Sequence, residues 1–160
     1  MNVINDQKTD KQEEKDFIIA KDILSKIFYK YNPQFSQMTK GNVYDLKMWF
    51  VDKNNNLQQY HVEIKSRSQD MSKYNTLPLT VKKYCNLRES CKMGEKPIYI
   101  SLLNNSEYYI FDIEKLDMNS VSIKNWLIND IEYSDRPTKM KIPTMFLPLN
   151  NAIQHGTWQQ

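Results

Sequence analysis

Apolar residues at steps of three and four mark the first element of the chain. Phe17, Ala20, Leu24, Ile27, Phe28 and Tyr31 recur at that spacing, which is the buried stripe of an amphipathic helix and predicts a helix from about Asp10 to Tyr31. Thr9 with Gln12, or Asp10 with Glu13, offers a capping-box pattern at its start, and Pro33 fits a stop. Around residues 34–38 a short irregular or extended piece follows, with Phe35 to Met38 a thin candidate for a first strand and Gly41 punctuating it. The pattern then changes to alternation. Residues 43–51 read V-Y-D-L-K-M-W-F-V and residues 57–65 read L-Q-Q-Y-H-V-E-I-K, joined by Asp52-Lys53-Asn54-Asn55-Asn56. Two alternating runs around a turn-forming cluster predict a β-hairpin.

A polar loop over 66–73 leads to a second predicted helix, from Leu77 or Thr80 to Lys92, in which Pro78 is tolerated only in the first turn and Gly94 is the C-cap candidate. Pro97–Leu103 and Tyr108–Ile113 read as strands around a turn at Asn104-Asn105-Ser106. Ser120–Ile131 reads as a third, short helix and Lys139–Leu147 as a last extended segment. The order helix, hairpin, helix, hairpin, helix predicts an α/β domain around a mixed central sheet flanked by helices. No repeat or linker divides it, so the expectation is a flexible N-terminus over 1–9, one domain over 10–150 and a C-terminal tail over 151–160.

Composition narrows the chemistry. With 160 residues, 26% charged and 40% hydrophobic, the chain has an ordinary soluble composition and the length of one domain. No apolar run approaches the ~20 residues of a membrane span, and residues 1–14 are polar without a signal-peptide core, so the expected location is cytoplasmic. Cys85 and Cys91 are too few for a disulfide scaffold or a zinc cluster, and His61 and His155 too few and too far apart for a histidine site. Any metal would therefore be held by carboxylates, which favours Mg²⁺ or Mn²⁺. Three glycines and no glycine-rich loop argue against a P-loop or a dinucleotide fold. Net charge is only +3, but residues 61–96 carry eight Lys/Arg against four Asp/Glu while residues 97–135 carry two against seven, a distribution that suggests one working face directed at an anion.

The hairpin holds the candidate chemistry. Tyr44, Leu46, Met48 and Phe50 match Tyr60, Val62 and Ile64 only if even positions share a face, since a slip of one residue turns an apolar set into water. Asp45 and Lys47 then share the opposite face with His61, Glu63 and Lys65. If Val51 pairs with Leu57, Asp45 lies opposite Glu63, two carboxylates about 5 Å apart at Cβ that repel unless a cation lies between them. If Lys53 pairs with Leu57, Asp45 faces Lys65 and Glu63 faces Lys47, two ordinary cross-strand ion pairs worth at most ~1 kcal/mol each. Both registers respect the pattern.

Asp45 on one strand and Glu63-Ile64-Lys65 on its partner resemble the motif of the PD-(D/E)xK, or restriction-endonuclease-like, nucleases. The flanking order over roughly residues 10–103 also resembles that superfamily's αβββαβ core, with the small Holliday-junction resolvases and similar phage nucleases nearest in size and layout. Tyr44 stands where the motif has proline. An acid-x-Lys triplet alone is weak, as Asp6-Gln7-Lys8 and Glu13-Glu14-Lys15 illustrate; the strand setting, the acidic partner and the following helix distinguish this one.

The resemblance implies hydrolysis of DNA phosphodiester bonds, with RNA left open as a substrate. Asp45, Glu63 and the carbonyl of Ile64 would hold Mg²⁺ or Mn²⁺, which lowers the pKa of bound water and neutralises developing charge, while Lys65 would assist the attacking water. Glu14 is the first-helix position that resembles the additional metal-facing glutamate of the resolvase-like members. Ser66, Arg67, Lys73, Lys82 and Lys83 are the candidate nucleic-acid contacts, and Tyr74 and Tyr84 are available for stacking. His61 shares the strand face of the candidate acids, yet a partly buried, hydrogen-bonded role accounts for it as well. Small members are often dimers, so a homodimer is a further expectation. The rival reading is a non-catalytic nucleic-acid- or protein-binding module of the same fold.

Overall fold

The computed structural model describes residues 3–67, 74–130 and 138–159, with side chains described for 10–67, 74–126 and 141–159. Helix α1 spans Val3–Ile27 and is followed by a 3-10 turn, Tyr29–Tyr31. Strands β1 (Gln34–Gln37), β2 (Leu46–Val51), β3 (Leu57–Arg67) and β4 (Thr76–Thr80) precede helix α2 (Val81–Ser90); β5 (Glu95–Leu103), β6 (Glu107–Asp112), β7 (Ser122–Asp130), β8 (Thr138–Pro148) and β9 (Gln154–Thr157) complete the chain.

The architecture is α/β with a mixed sheet. Six strands run in the order β1-β2-β3-β5-β6-β9, and β4-β8-β7 form a separate three-stranded sheet. Only the β3–β5 pair of the larger sheet is parallel, as a strand–helix–strand crossover through α2 requires. Even positions of the central strands, including Leu46, Met48, Val62, Ile64, Ile98 and Ile100, pack under Ala20, Ile23 and Leu24 of α1. On the other face Tyr99, Leu103 and Phe111 meet Leu87 of α2 and Leu77, Leu79, Met145 and Leu147 of the smaller sheet. The larger sheet is thus a middle layer with apolar cover on both sides.

Several expectations are corrected. The order is not αβββαβ, because β4 intervenes before α2. Pro78, expected in a helical first turn, lies in β4 opposite Phe146 of β8; β4 is an edge strand, where a missing N–H is tolerated. Helix α2 begins only at Val81, with Thr80 as N-cap accepting the N–H of Lys83. It ends with Cys91 as C-cap, while Gly94 takes φ +89° in the turn before β5. Where a helix is expected over Ser120–Ile131, residues Ser122–Asp130 form β7, paired with β8 along its length; this non-local pairing, rather than local propensity, sets the strand. Helix α1 begins at Val3 rather than near Asp10, which puts both capping-box candidates inside the helix. The expected tail contributes β9, paired to β6, and buries Trp158.

Candidate active site

The hairpin adopts the register in which Val51 faces Leu57 and Leu46 faces Val62. The pairing does not continue in step to Asp45, which lies just before β2 and bonds the same Val62 that Leu46 faces. Tyr44, expected to share a face with Leu46 and Met48, instead stacks on His61 of the opposite face. Three hydrogen bonds hold Asp45 in place. Its N–H donates to the Val62 carbonyl at 2.9 Å, and its carbonyl accepts the N–H of Met38 at 2.9 Å. Its Oδ2 accepts the N–H of Ile64 at 2.7 Å. Asp45 is therefore clamped between the end of β1 and the middle of the Glu63-Ile64-Lys65 triplet. The alternative register, with two cross-strand ion pairs, is not the one formed: Lys47 instead pairs with Glu95 at 3.4 Å.

Glu63 lies on the odd face of β3, towards α2, and is only 3% exposed. Its Oε1 meets Nζ of Lys83 at 2.9 Å, whereas Oε2 is buried without a hydrogen-bond partner. Burial, reinforced by the charge of Asp45, pushes the Glu63 carboxyl up to about 7, against the opposing pull of Lys83 and Lys65. Burial also raises Asp45, and Asp16 adds to the rise, while the Ile64 N–H, Lys83 and Lys65 counter it. Two desolvated carboxylates, of which Asp45 raises the pKa of Glu63, resist simultaneous ionisation. A cation between them would remove that conflict.

Among the described residues no group of three or more His, Cys, Asp and Glu side chains gathers as a metal cage. A hard ion that keeps most of its waters needs only one or two carboxylates, so Asp45 and Glu63 fit Mg²⁺ or Mn²⁺, and the unsatisfied Oε2 is the group such an ion would engage. An extended residue directs its N–H and C=O to the same strand edge. With its N–H on Asp45, Ile64 turns its carbonyl to that same edge, where it could join the set.

The other candidates divide. Lys65 is exposed on β3, and its charge favours ionisation of both carboxylates. Lys82 is exposed in the first turn of α2. Lys83, expected as a phosphate contact, is instead engaged with Glu63. Ser66 donates its hydroxyl to Asp16 at 2.7 Å, so it ties β3 to α1. Arg67 reaches the Pro78 carbonyl and, at 2.7 Å, the Tyr99 hydroxyl, an internal link between the two sheets. Lys73 lies outside the described residues.

Glu14 does not join the carboxylates: it lines a groove with Lys11, Lys15, Ile18 and Trp158. The first-helix acid whose charge reaches Asp45 is Asp16. The stripe contained the signal, because stepping back one turn from Ala20, Ile23 and Leu24, the residues of α1 that are buried, gives Asp16 rather than Glu14. His61 stacks on Tyr44 with centroids 4.0 Å apart, contacts Ser90 Oγ at 3.0 Å and faces Glu95 at 3.4 Å. Burial lowers its pKa, and these contacts make it a packed, hydrogen-bonded histidine. Tyr84 packs with the core beneath α2, while Tyr74 is exposed.

No family model matches the sequence, and no curated protein matches it. No helix among the described residues is long and apolar enough to cross a membrane.

Proposed function

We propose that the protein is a metal-dependent nuclease that hydrolyses phosphodiester bonds of DNA, with a restriction-endonuclease-like core. The observation that carries this reading is the pair of desolvated carboxylates, Asp45 held by the Ile64 N–H and Glu63 raised by the charge of Asp45, with one buried Glu63 oxygen left unsatisfied. If β4 is assigned to the smaller sheet, the remaining order from α1 to β5 resembles that of the superfamily core, and this supports the assignment.

In this reading Asp45, Glu63 and the Ile64 carbonyl hold Mg²⁺ or Mn²⁺. The ion supplies a water acidified towards neutral pH and a Lewis acid for the phosphate. Lys65, exposed and charged beside the pair, orients the attacking water and offsets charge developing on the phosphate. Asp16 sets the local field from α1 and fixes Ser66. Lys82, in the first turn of α2, contributes to backbone attraction alongside the positive end of the helix dipole. Arg67 is committed to the fold and is not part of the proposed DNA contact.

The rival, a non-catalytic binding module, draws on the Lys83–Glu63 pair, which partly neutralises the site without a metal. One assay separates the two. Plasmid, single-stranded and branched DNA, with an RNA counterpart, are incubated with Mg²⁺, Mn²⁺ or EDTA beside a Lys65→Ala variant. Cleavage that needs the metal and is lost in the variant supports the nuclease. Binding without cleavage of any substrate supports the module.

A further inference from the structure

Strand β8 outruns its neighbour β4. The two pair only over residues 144–148, with Thr144 opposite Thr80, whereas β8 continues against β7 back to Thr138, opposite Asp130. Among the described residues, 125–130 and 138–143 therefore form a two-stranded ribbon with no third strand, about 20 Å long at the usual rise of a strand. Thr80 is also the N-cap of α2, and Lys83 in the first turn of that helix reaches Glu63. The ribbon thus leaves the body level with the helix turn beside the candidate carboxylates.

Strands β7 and β8 carry Lys124, Lys139 and Lys141 against one acid, Asp130. Lys124, Asn125, Trp126 and Lys141 are exposed. Trp126 still keeps its ring 4.8 Å from that of buried Phe146, which braces the ribbon at its base. Pro143 is the first position of β8 beyond β4, and without an N–H it discourages a further strand from extending that edge. A second copy adding a strand there is disfavoured. An isolated two-stranded ribbon is marginal in water, so an anionic partner that takes the ribbon whole fits it best.

Taking DNA as the partner from the nuclease reading, we infer that the β7–β8 ribbon is an arm that holds duplex DNA, lying in the major groove beside the candidate site with Lys124 and Lys141 on the flanking phosphates. The major groove admits a two-stranded β-ribbon. Lys124 pairs with Thr144 and Lys141 with Leu127, so period-two alternation puts the two lysines on opposite faces. A ribbon entering the groove edge first turns one of them to each phosphate backbone. Such contacts fix orientation and carry no sequence information, so the arm supplies attraction and alignment rather than a recognition sequence.

The test uses the full chain in EDTA with a short DNA duplex, and measures affinity by fluorescence anisotropy over a range of salt. The double variant Lys124→Gln/Lys141→Gln is compared with Lys53→Gln/Lys92→Gln, which loses the same charge in the hairpin turn and beyond the far end of α2. The ribbon variant is expected to bind at least about tenfold more weakly, with the slope of log affinity against log salt reduced by about 1.8 for two lost phosphate contacts. The control is expected to stay within about twofold of wild type with its slope unchanged. In parallel, methylation of guanine N7, which faces the major groove, is expected to be suppressed by the wild type and restored with the ribbon variant. Duplex binding retained by the ribbon variant, or N7 reactivity that the wild type leaves unchanged, overturns the arm and leaves the nuclease reading to the cleavage assay. Ribbon-dependent duplex binding with no cleavage in Mg²⁺ or Mn²⁺ supports the arm and overturns the nuclease instead. Should the ribbon variant fail to fold, N7 protection by the wild type decides alone.

Discussion

The carboxylate of Asp45 accepts the backbone N–H of Ile64 at 2.7 Å, which joins the first acid of the proposed site to the centre of the triplet that carries the other two functional groups. The bond does two things at once. It favours the ionised form of Asp45 against the desolvation that opposes it, and it gives the Ile64 N–H a partner within the site. A side chain that accepts a backbone N–H is also held in one rotamer, which is the precision a metal ligand needs.

The raised carboxyls make stability depend on pH in a definite direction. With divalent ions chelated, folded Glu63 retains a proton up to about pH 7, while the unfolded chain releases it in the ordinary carboxylate range. The folded state binds more protons in that window, so stability is highest at its acid end and falls as pH rises through it. Urea denaturation in EDTA at several pH values between 4.5 and 8 is expected to show this decline, and Glu63→Gln is expected to flatten it. An unchanged slope in the variant would place the titrating proton elsewhere. Mn²⁺ is expected to stabilise the wild type more at pH 8 than at pH 5, since binding must displace protons.

Lys65 separates chemistry from folding. It is exposed, so Lys65→Ala is expected to alter stability by no more than about 0.5 kcal/mol. Cleavage is expected to drop by about 100-fold or more, the scale of a positioned catalytic group, with Mn²⁺ binding retained. Cleavage within threefold of wild type would remove Lys65 from the mechanism.

Asp16 and Glu14 give opposite expectations. Asp16→Ala removes the acceptor of the Ser66 hydroxyl and a charge felt by Asp45. A loss of about 10–100-fold in activity is expected, as for partners just outside a metal's ligands. Glu14→Ala, in its groove beside Trp158, is expected to change the rate by less than about twofold. The reverse ranking, measured as initial rates at saturating metal, would restore Glu14 to the site.

Arg67 is expected to matter to the fold rather than to DNA. Its guanidinium joins β3 to β4 through the Pro78 carbonyl and to β5 through the Tyr99 hydroxyl. Arg67→Met is expected to cost about 1–3 kcal/mol in chemical denaturation while DNA affinity at fixed salt stays within about twofold. A large loss of affinity with stability preserved would return Arg67 to the nucleic-acid interface.

The parts legible in the sequence were those set by local alternation. The even–odd pattern of residues 46–50 and 60–64 determined which residues share a face, and the structure selected one of the two registers it allowed; Tyr44 departs from the pattern and stacks on His61 of the opposite face. The choice depended on the turn, where Asp52 accepts the N–H groups of Asn54 and Asn56 at 2.9 Å and so closes the five-residue loop. Non-local pairing was not legible. Nothing near Leu77-Pro78-Leu79 announces that its partner is Leu147, Phe146 and Met145, so a strand followed by a helix read as helix alone. In β7 the apolar spacing of Val121, Ile123, Trp126 and Leu127 satisfies a helical stripe as well as a strand, and pairing with β8 decided for the strand. At the site, Glu63 was placed by the period-two face of β3, whereas Asp45 lies just before β2 and is positioned by its hydrogen bonds to Val62, Met38 and Ile64. Asp16 was missed because the stripe of α1 was extended from Phe17, which is only half-buried, instead of from Ala20.

The most direct test of the central claim is calorimetric titration of Mn²⁺ at pH 7.5 into the wild-type protein, Asp45→Asn and Glu63→Gln. The account predicts one site in the wild type and a loss of affinity of at least about tenfold in each variant, with both variants folded. Binding that survives in both variants, or no binding by the wild type, would contradict it.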